Sequence, residues 1–171
     1  MAHRTPHHGR APRLPGHDYR GTGWYFITLV TVGRVPLFRH SDDSRFALSP
    51  SGILVDQAWR KGLAIRAEVS EGPWVVMPDH FHALVGFTRP NLAPEQSGPP
   101  GGLSRPGRSL GSLIAGFKAA STGAINRVRG TPGSRIWQVG FYDRVVRDDR
   151  AWRQIARYIE SNPARWVARA T

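Results

Sequence analysis

The chain has 171 residues, of which 40% are apolar, and this is enough for one domain with its own hydrophobic core. It contains no cysteine, which excludes a disulfide scaffold and a thiolate metal site. It also lacks an apolar run of the roughly 20 residues needed for a membrane helix, and its basic N-terminus has no apolar signal-peptide core. These features favour a cytoplasmic protein.

The composition is strongly basic, with 24 Lys and Arg against 12 Asp and Glu, a net charge of +12. All of the basic residues are Arg except Lys61 and Lys118. Residues 21–101 carry seven basic and seven acidic residues, whereas residues 102–171 carry thirteen and four. An Arg-rich half of this kind favours a polyanionic partner. The alternative is that a GC-rich genome enriches Arg and that the charge only solubilises the protein.

Periodicity and breaker residues predict a flexible basic arm at residues 1–20 and a single domain at 21–171. The domain contains a mobile loop at residues 88–108, which holds five Pro and four Gly. Strands are expected where β-branched and aromatic residues are dense, and helices where apolar residues keep helical spacing. The expected elements are a strand at Trp24–Val32, a helix at Ser51–Arg66, strands at Trp74–Met77 and His80–Phe87, a helix from Ser109 to about Val128, a strand at Ile136–Arg147, and a helix from Asp148 to about Ser161 that Pro163 ends.

This β-α-β-β-α-β-α order predicts an α+β fold. We expect a ferredoxin-like or RRM-like palm, in which a four-stranded antiparallel sheet carries the helices mainly on one face. The other face of the sheet would then be open to a ligand.

Two histidines, His80 and His82, stand at i and i+2 on a predicted strand, so their side chains point to the same face. Phe81 points to the opposite face, toward the core. Two neighbouring imidazoles can share a metal ion, although an isolated His-x-His is more often a solvated pair. Asp79 is adjacent, but alternation along the strand would place it on the opposite face.

Tyr158 and Asn162 are neighbours at i and i+4 on the last predicted helix, at the edge of its apolar stripe. Tyr158 could therefore face a cleft, and the side-chain oxygen of Asn162 could reach a metal ion. The alternatives are a tyrosine that only packs its ring and an asparagine that caps the helix before Pro163.

Four segments, in this order, resemble those of one family. They are LPGHDY at 14–19, VMPDHFHALV at 76–85, WQVGFYDR at 137–144 and YIESNP at 158–163. The second resembles the HUH motif region of IS200-like single-tyrosine transposases, and the other three resemble segments of the REP-associated tyrosine transposase branch. The resemblance covers about residues 12–166.

The resemblance implies a ferredoxin-like palm and a metal-dependent enzyme that nicks and rejoins single-stranded DNA. It implies that His80, His82 and Asn162 bind Mg²⁺ or Mn²⁺, and that Tyr158 forms a 5′-phosphotyrosine link to hairpin DNA from a palindromic repeat. It leaves open whether the protein is a monomer or a homodimer. Two departures stand out: Arg144 occupies a position where the branch often has His, and little sequence follows Trp166.

Basic side chains in the arm and in the second half of the chain are predicted to hold the DNA, and each could instead be a solvated charge. They are Arg10, Arg13, Lys118, Arg127, Arg129, Arg144 and Arg147. Two other functions compete with the transposase. A catalytically silent, domesticated protein that binds hairpin DNA or RNA would have lost a motif residue, and a metal-dependent hydrolase would need an acidic residue near the histidines.

Overall fold

The computed structural model of the chain describes residues 22–40, 46–88 and 109–170, with side chains as far as Val167. The predicted arm, with Arg10 and Arg13, and the predicted loop after Thr88 lie outside the described residues. The elements in chain order are β1 (Gly23–Val30), a 3-10 turn (Val32–Arg34), α1 (Pro50–Ala64), β2 (Val69–Val76), β3 (His80–Phe87), α2 (Leu110–Arg129), β4 (Tyr142–Val146) and α3 (Asp149–Ala170).

The four strands form one antiparallel sheet in the order β2-β3-β1-β4. β1 is central, so that Thr28 pairs with His82 of β3 on one side and with Tyr142 of β4 on the other. Together with the β-α-β-β-α-β order of the first six elements, this confirms the predicted α+β, ferredoxin-like fold. No helix in the described ranges combines the length and the apolar character needed to cross a bilayer.

The larger core lies between the sheet and the pair α1 and α2. Trp59 of α1, which is 1% exposed, packs edge-on against Phe81 of β3 at 5.0 Å and Phe117 of α2 at 5.2 Å between ring centroids. Both helices begin at serine caps, since Ser49 and Ser109 each accept a hydrogen bond from a backbone N–H three residues on. Because both α1 and α2 pack against this core, they cover the same face of the sheet, as predicted.

The opposite face of the sheet is only partly open, because α3 lies across part of it. The apolar stripe of α3 joins a second buried cluster with side chains of β2 and β3, and the Trp152 ring meets Trp24 edge-on at 5.6 Å. The prediction of a free face was wrong because β1 presents Trp24 and Phe26 on this side, and α3 has a stripe able to cover them. The buried members of the cluster are Phe46, Val75, Met77, Leu84, Ile155, Ala156 and Ile159.

α3 also continues through Pro163 to Ala170, where the sequence predicted an end. Proline has no N–H, so the carbonyl of Ile159 loses its usual helical partner four residues on. Val167 packs against the second cluster, and Trp166 lies against His80. Tertiary contacts beyond the proline thus outweigh its local effect on the helix.

The starts of β2 and β4 depart furthest from the predicted strand boundaries. β2 begins at Val69 rather than Trp74, because an irregularity between Glu71 and Trp74 lets the strand continue past Pro73. β4 begins only at Tyr142, because Gly140 has φ 76° and interrupts the extended backbone.

The segment before β4 is hydrogen-bonded both to the end of β1 and to α2. Gln138 donates from its backbone N–H to the Val30 carbonyl at 2.9 Å, and from its side chain to the Thr31 carbonyl at 3.0 Å. From α2, the Lys118 ammonium donates to the carbonyl of Gln138 at 2.7 Å and to that of Gly140. The start of β4 is therefore set jointly by β1 and α2.

Candidate metal and nucleophile site

His80 and His82 project from β3 toward α3, with their ring centroids 4.7 Å apart. Phe81, between them in sequence, is fully buried on the α1 and α2 side. The strand thus places both imidazoles on one face of the sheet. His82 is 6% exposed and lies deeper than His80, which is partly exposed.

The Nδ1 atom of each histidine has an oxygen partner. The Asp79 carboxylate lies 2.5 Å from Nδ1 of His80, and the Thr28 hydroxyl lies 2.8 Å from Nδ1 of His82. When Nδ1 carries the proton and donates to these oxygens, the Nε2 lone pairs are free for a metal ion. The Thr28 contact follows from sheet register, because Thr28 is the direct β1 partner of His82.

The sequence predicted that Asp79 points to the opposite face, and this was wrong. Its side chain points toward His80. β3 begins at His80, so the alternation of a strand does not govern the residue before it. Its carboxylate also pairs with Arg34 at 3.2 Å, and its carbonyl accepts from the backbone and hydroxyl of Thr31. Burial acts to raise the pKa of Asp79, but the hydrogen bond and charge of His80, with Arg34, hold it below its usual value.

His82 is neutral in the folded protein at ordinary pH. Burial, followed by the nearby charge of His80, lowers the pKa of His82 to about 3. A neutral imidazole is the form that binds a metal ion. Protons therefore do not compete with a cation at His82 near neutral pH.

Tyr158 on α3 reaches this pair of histidines from above the sheet. Its ring centroid lies 5.6 Å from that of His82 and 6.1 Å from that of Phe26, which is itself stacked on His82 at 5.2 Å. The side chain is 39% exposed. The tyrosine therefore borders the histidines while remaining accessible to a large substrate.

Asn162 lies between two residues that contact the histidines. Tyr158 meets His82, and Trp166 meets His80 at 6.2 Å between ring centroids. Residues 158, 162 and 166 are spaced by four and share one face of α3, so Asn162 faces the same pair. Its side-chain nitrogen is buried without a hydrogen-bond partner. Turning the amide about its last bond would present the oxygen instead.

These three side chains fit a divalent cation. Two imidazole nitrogens and one amide oxygen leave coordination positions for water and substrate. No group of three His, Cys, Asp or Glu suited to a metal occurs among residues 22–40, 46–88 and 109–170. Asn162 therefore stays a prediction as the third ligand.

A cleft of about 420 Å³ opens on the other side of Tyr158, between β1, β4 and α3. Thr28 and Phe26 form its floor, and Arg144 and Tyr142 project into it from β4 because they pair with these two residues. Gln154 of α3, one turn before Tyr158, borders the cleft as well.

The residues predicted to bind DNA do not all lie near this site. Lys118, Arg127 and Arg129 are on α2, on the far side of the sheet, and burial lowers the pKa of Lys118 to about 8. Arg144 lines the cleft, and Arg147 is exposed just after β4.

Two residues near the site were not singled out from the sequence, and Asp79 was assigned to the wrong face. Thr28 and Asp79 required the strand register and strand start to be known, and Trp166 required α3 to pass Pro163. The α3 surface also carries basic residues at helical spacing that are not among the predicted DNA contacts. They are Arg150, Arg153, Arg157 and Arg165, all exposed.

Comparisons with known proteins give relatives at low sequence identity. No family model matches the chain. An uncharacterized protein of Haemophilus influenzae is 29% identical over 168 residues, which cover 94% of this chain and 91% of the relative. A protein of Deinococcus radiodurans, provisionally assigned as a transposase, aligns at 15% identity with a TM-score of 0.46, over 88% of this chain and 96% of its own. The structure of a REP-associated tyrosine transposase bound to a REP hairpin aligns at 18% identity with a TM-score of 0.54, over 96% of this chain and 74% of that one. The predicted resemblance to the single-tyrosine transposases is thus confirmed at the level of the fold.

Proposed function

We propose that this chain is a metal-dependent transposase that nicks and rejoins single-stranded DNA, with Tyr158 as the nucleophile. The observation that carries the proposal is the contact of Tyr158 with His82, at 5.6 Å between ring centroids, while His82 itself lies 4.7 Å from His80. A partly exposed tyrosine beside a pair of imidazoles, of which His82 is buried, suits phosphoryl transfer from a polymer too large to be enclosed.

His80, His82 and Asn162 would hold Mg²⁺ or Mn²⁺. When bound, such an ion neutralises the charge of the phosphodiester and polarises its P–O bond. Asp79 and Thr28 keep the imidazoles oriented through their Nδ1 atoms. The protein part of the site is therefore arranged before a substrate arrives.

The reaction balances without a nucleotide cofactor. The phenolic oxygen of Tyr158 loses its proton to solvent and forms a bond to phosphorus, while the bond from phosphorus to the 3′ oxygen breaks. The 3′ oxygen takes up a proton, leaving a 3′-hydroxyl and a 5′-phosphotyrosine link. Attack of a 3′-hydroxyl on that link reverses the steps and reseals the strand, because the phosphodiester energy is retained.

The proposed substrate is hairpin DNA with single-stranded flanks from a palindromic repeat, which would place the protein on the nucleoid in the cytoplasm. Arg144 in the cleft, with Arg153 and Arg157 on the exposed side of α3, supplies positive charge around Tyr158. Because His82 and Tyr158 of one chain are in contact, we infer that one chain can assemble the whole site.

The test is to incubate the protein and Mn²⁺ with labelled hairpins whose single-stranded flanks are randomised. We expect a covalent protein–DNA adduct on a denaturing gel, and none with Tyr158→Phe. Tyr142→Phe is the matched control, because Tyr142 is 37% exposed, against 39% for Tyr158, and borders the same cleft. It should keep the adduct.

A second pair of variants tests the metal ligands. His80→Ala should abolish the adduct, whereas His40→Ala, which removes an exposed histidine of a loop, should not. An adduct formed by Tyr158→Phe would refute the assignment of the nucleophile. Hairpin binding by the wild type without an adduct at any flank sequence would instead identify a domesticated binding protein.

A further inference from the structure

Within the described ranges, the exposed aromatic side chains are confined to one region. Of the Phe, Tyr and Trp residues that the structure describes, only Tyr142, Tyr158 and Trp166 are substantially exposed, at 37%, 39% and 38%. The others are buried or partly buried in the two cores. All three exposed rings belong to the face of the sheet that carries the histidines.

Tyr142 and Trp166 lie on opposite sides of Tyr158. Tyr142 projects from β4 into the 420 Å³ cleft that Tyr158 borders. Trp166 is two turns further along α3, about 12 Å by helical rise, where it meets His80. The three rings thus form a row with Tyr158 in the middle.

The surroundings of this row favour a polyanion with flat, apolar groups. Arg144 and Gln154 share the cleft with Tyr142, and Arg157 and Arg165 are exposed beside the residues of α3 that form the row. These charges would be unfavourable at an interface with an apolar protein partner. Single-stranded nucleic acid combines phosphates for the guanidinium groups with bases that stack on aromatic rings.

We propose that Tyr142 and Trp166 are base-stacking platforms on either side of the phosphate that Tyr158 attacks. One unpaired base enters the cleft and stacks on Tyr142, with Arg144 on a neighbouring phosphate, and another base stacks on Trp166. This inference rests on the proposed function for the position of the phosphate, and it assigns the single-stranded flanks to named residues.

Binding is measured with Tyr158→Phe protein, so that no cleavage intervenes. The probe is a thymidylate oligonucleotide of about twelve nucleotides, in which 5-iodouracil replaces thymine for photo-cross-linking. Peptide mass spectrometry should locate cross-links at Tyr142 and Trp166. Cross-links found only at other residues would overturn the proposal.

Affinity is measured by fluorescence anisotropy with the same sequence in unmodified form. Trp166→Leu and Tyr142→Leu keep an apolar side chain but remove the ring, and each should weaken binding by about 5- to 150-fold. Trp166→Phe and Tyr142→Phe should restore most of the loss. Ile65→Ala, at an exposed apolar residue after α1, is the control and should have no effect.

The outcomes separate this inference from the proposed function. If the wild type forms the covalent adduct but both leucine variants bind the oligonucleotide normally, the stacking platforms are refuted and the transposase stands. If the leucine variants lose affinity but no adduct forms with any hairpin, the platforms stand as a binding surface and the strand-transfer proposal fails. Melting temperatures of all variants show whether a loss of affinity reflects unfolding.

Discussion

Removing the Asp79 carboxylate should weaken metal binding without touching a proposed ligand. Asp79 and His80 are joined at 2.5 Å, and their side chains are only 9% and 14% exposed, so solvent screens this contact little. A hydrogen bond to a charged group contributes about 1.5–3 kcal/mol, which corresponds to about 10- to 150-fold in a dissociation constant. We expect Asp79→Ala to raise the dissociation constant for Mn²⁺ by that factor.

The assay is calorimetric titration of the protein with Mn²⁺ at neutral pH, in the absence of DNA. Asp79→Asn should fall between Asp79→Ala and the wild type, because its oxygen still accepts from Nδ1 but carries no charge. Asp56→Ala is the control, since that carboxylate also holds two partners, Arg60 at 2.7 Å and Trp74 at 2.9 Å, but on α1. Equal Mn²⁺ affinity in Asp79→Ala and the wild type would refute the orienting role.

Three further predictions follow from contacts of single side chains. Thr28→Val removes the hydroxyl at Nδ1 of His82 and should raise the Mn²⁺ dissociation constant about two- to tenfold in the same titration, less than Asp79→Ala, because the bond is neutral. Burial lowers the pKa of Lys118 from 10.5 to about 8, so the unfolded chain binds more protons between these values. The free energy of unfolding of the wild type, from urea titrations, should therefore rise from pH 8 to 10.5 relative to Lys118→Met, by less than the full shift implies because solvent screens this half-buried ammonium, and a flat difference would contradict this. Gly86→Ala would place a Cβ 2.9 Å from the indole ring of Trp24 and should lower the free energy of unfolding by about 1–3 kcal/mol. Gly62→Ala, whose Cβ would have nothing within 4 Å, should not lower the melting temperature.

The fold was predictable because its strands and helices carry strong periodic signals. The bounds of β3 agree with the sequence at both ends, His80 and Phe87, since the turn signal Pro78-Asp79 precedes the segment HFHALVGF, in which Phe81, Ala83 and Val85 alternate toward the core. α2 likewise begins after the predicted cap, Ser109, and ends one residue past the prediction. Each of these elements satisfies its local preference and its tertiary contacts at once.

The surroundings of the site were less predictable, because they depend on contacts between elements distant in sequence. Pro163 is a strong local signal for a helix end, and only the packing of Val167 and Trp166 overrides it. The partnership of Thr28 with His82 requires the register of β1 against β3, which no local pattern specifies. The roles of the histidines, Tyr158 and Asn162 in metal binding and catalysis remain predictions.

The hydrogen bonds from Lys118 to the segment before β4 have a consequence for mapping the proposed DNA-binding surface. Lys118 lies on the layer remote from Tyr158, yet its ammonium holds the carbonyls of Gln138 and Gly140, which precede the strand that carries Tyr142 and Arg144. Replacing this lysine in a charge-removal scan would shift the cleft wall and weaken DNA binding without removing a DNA contact. Such a loss would persist at high salt, whereas the loss from a true phosphate contact such as the one proposed for Arg144 would fade as salt increases.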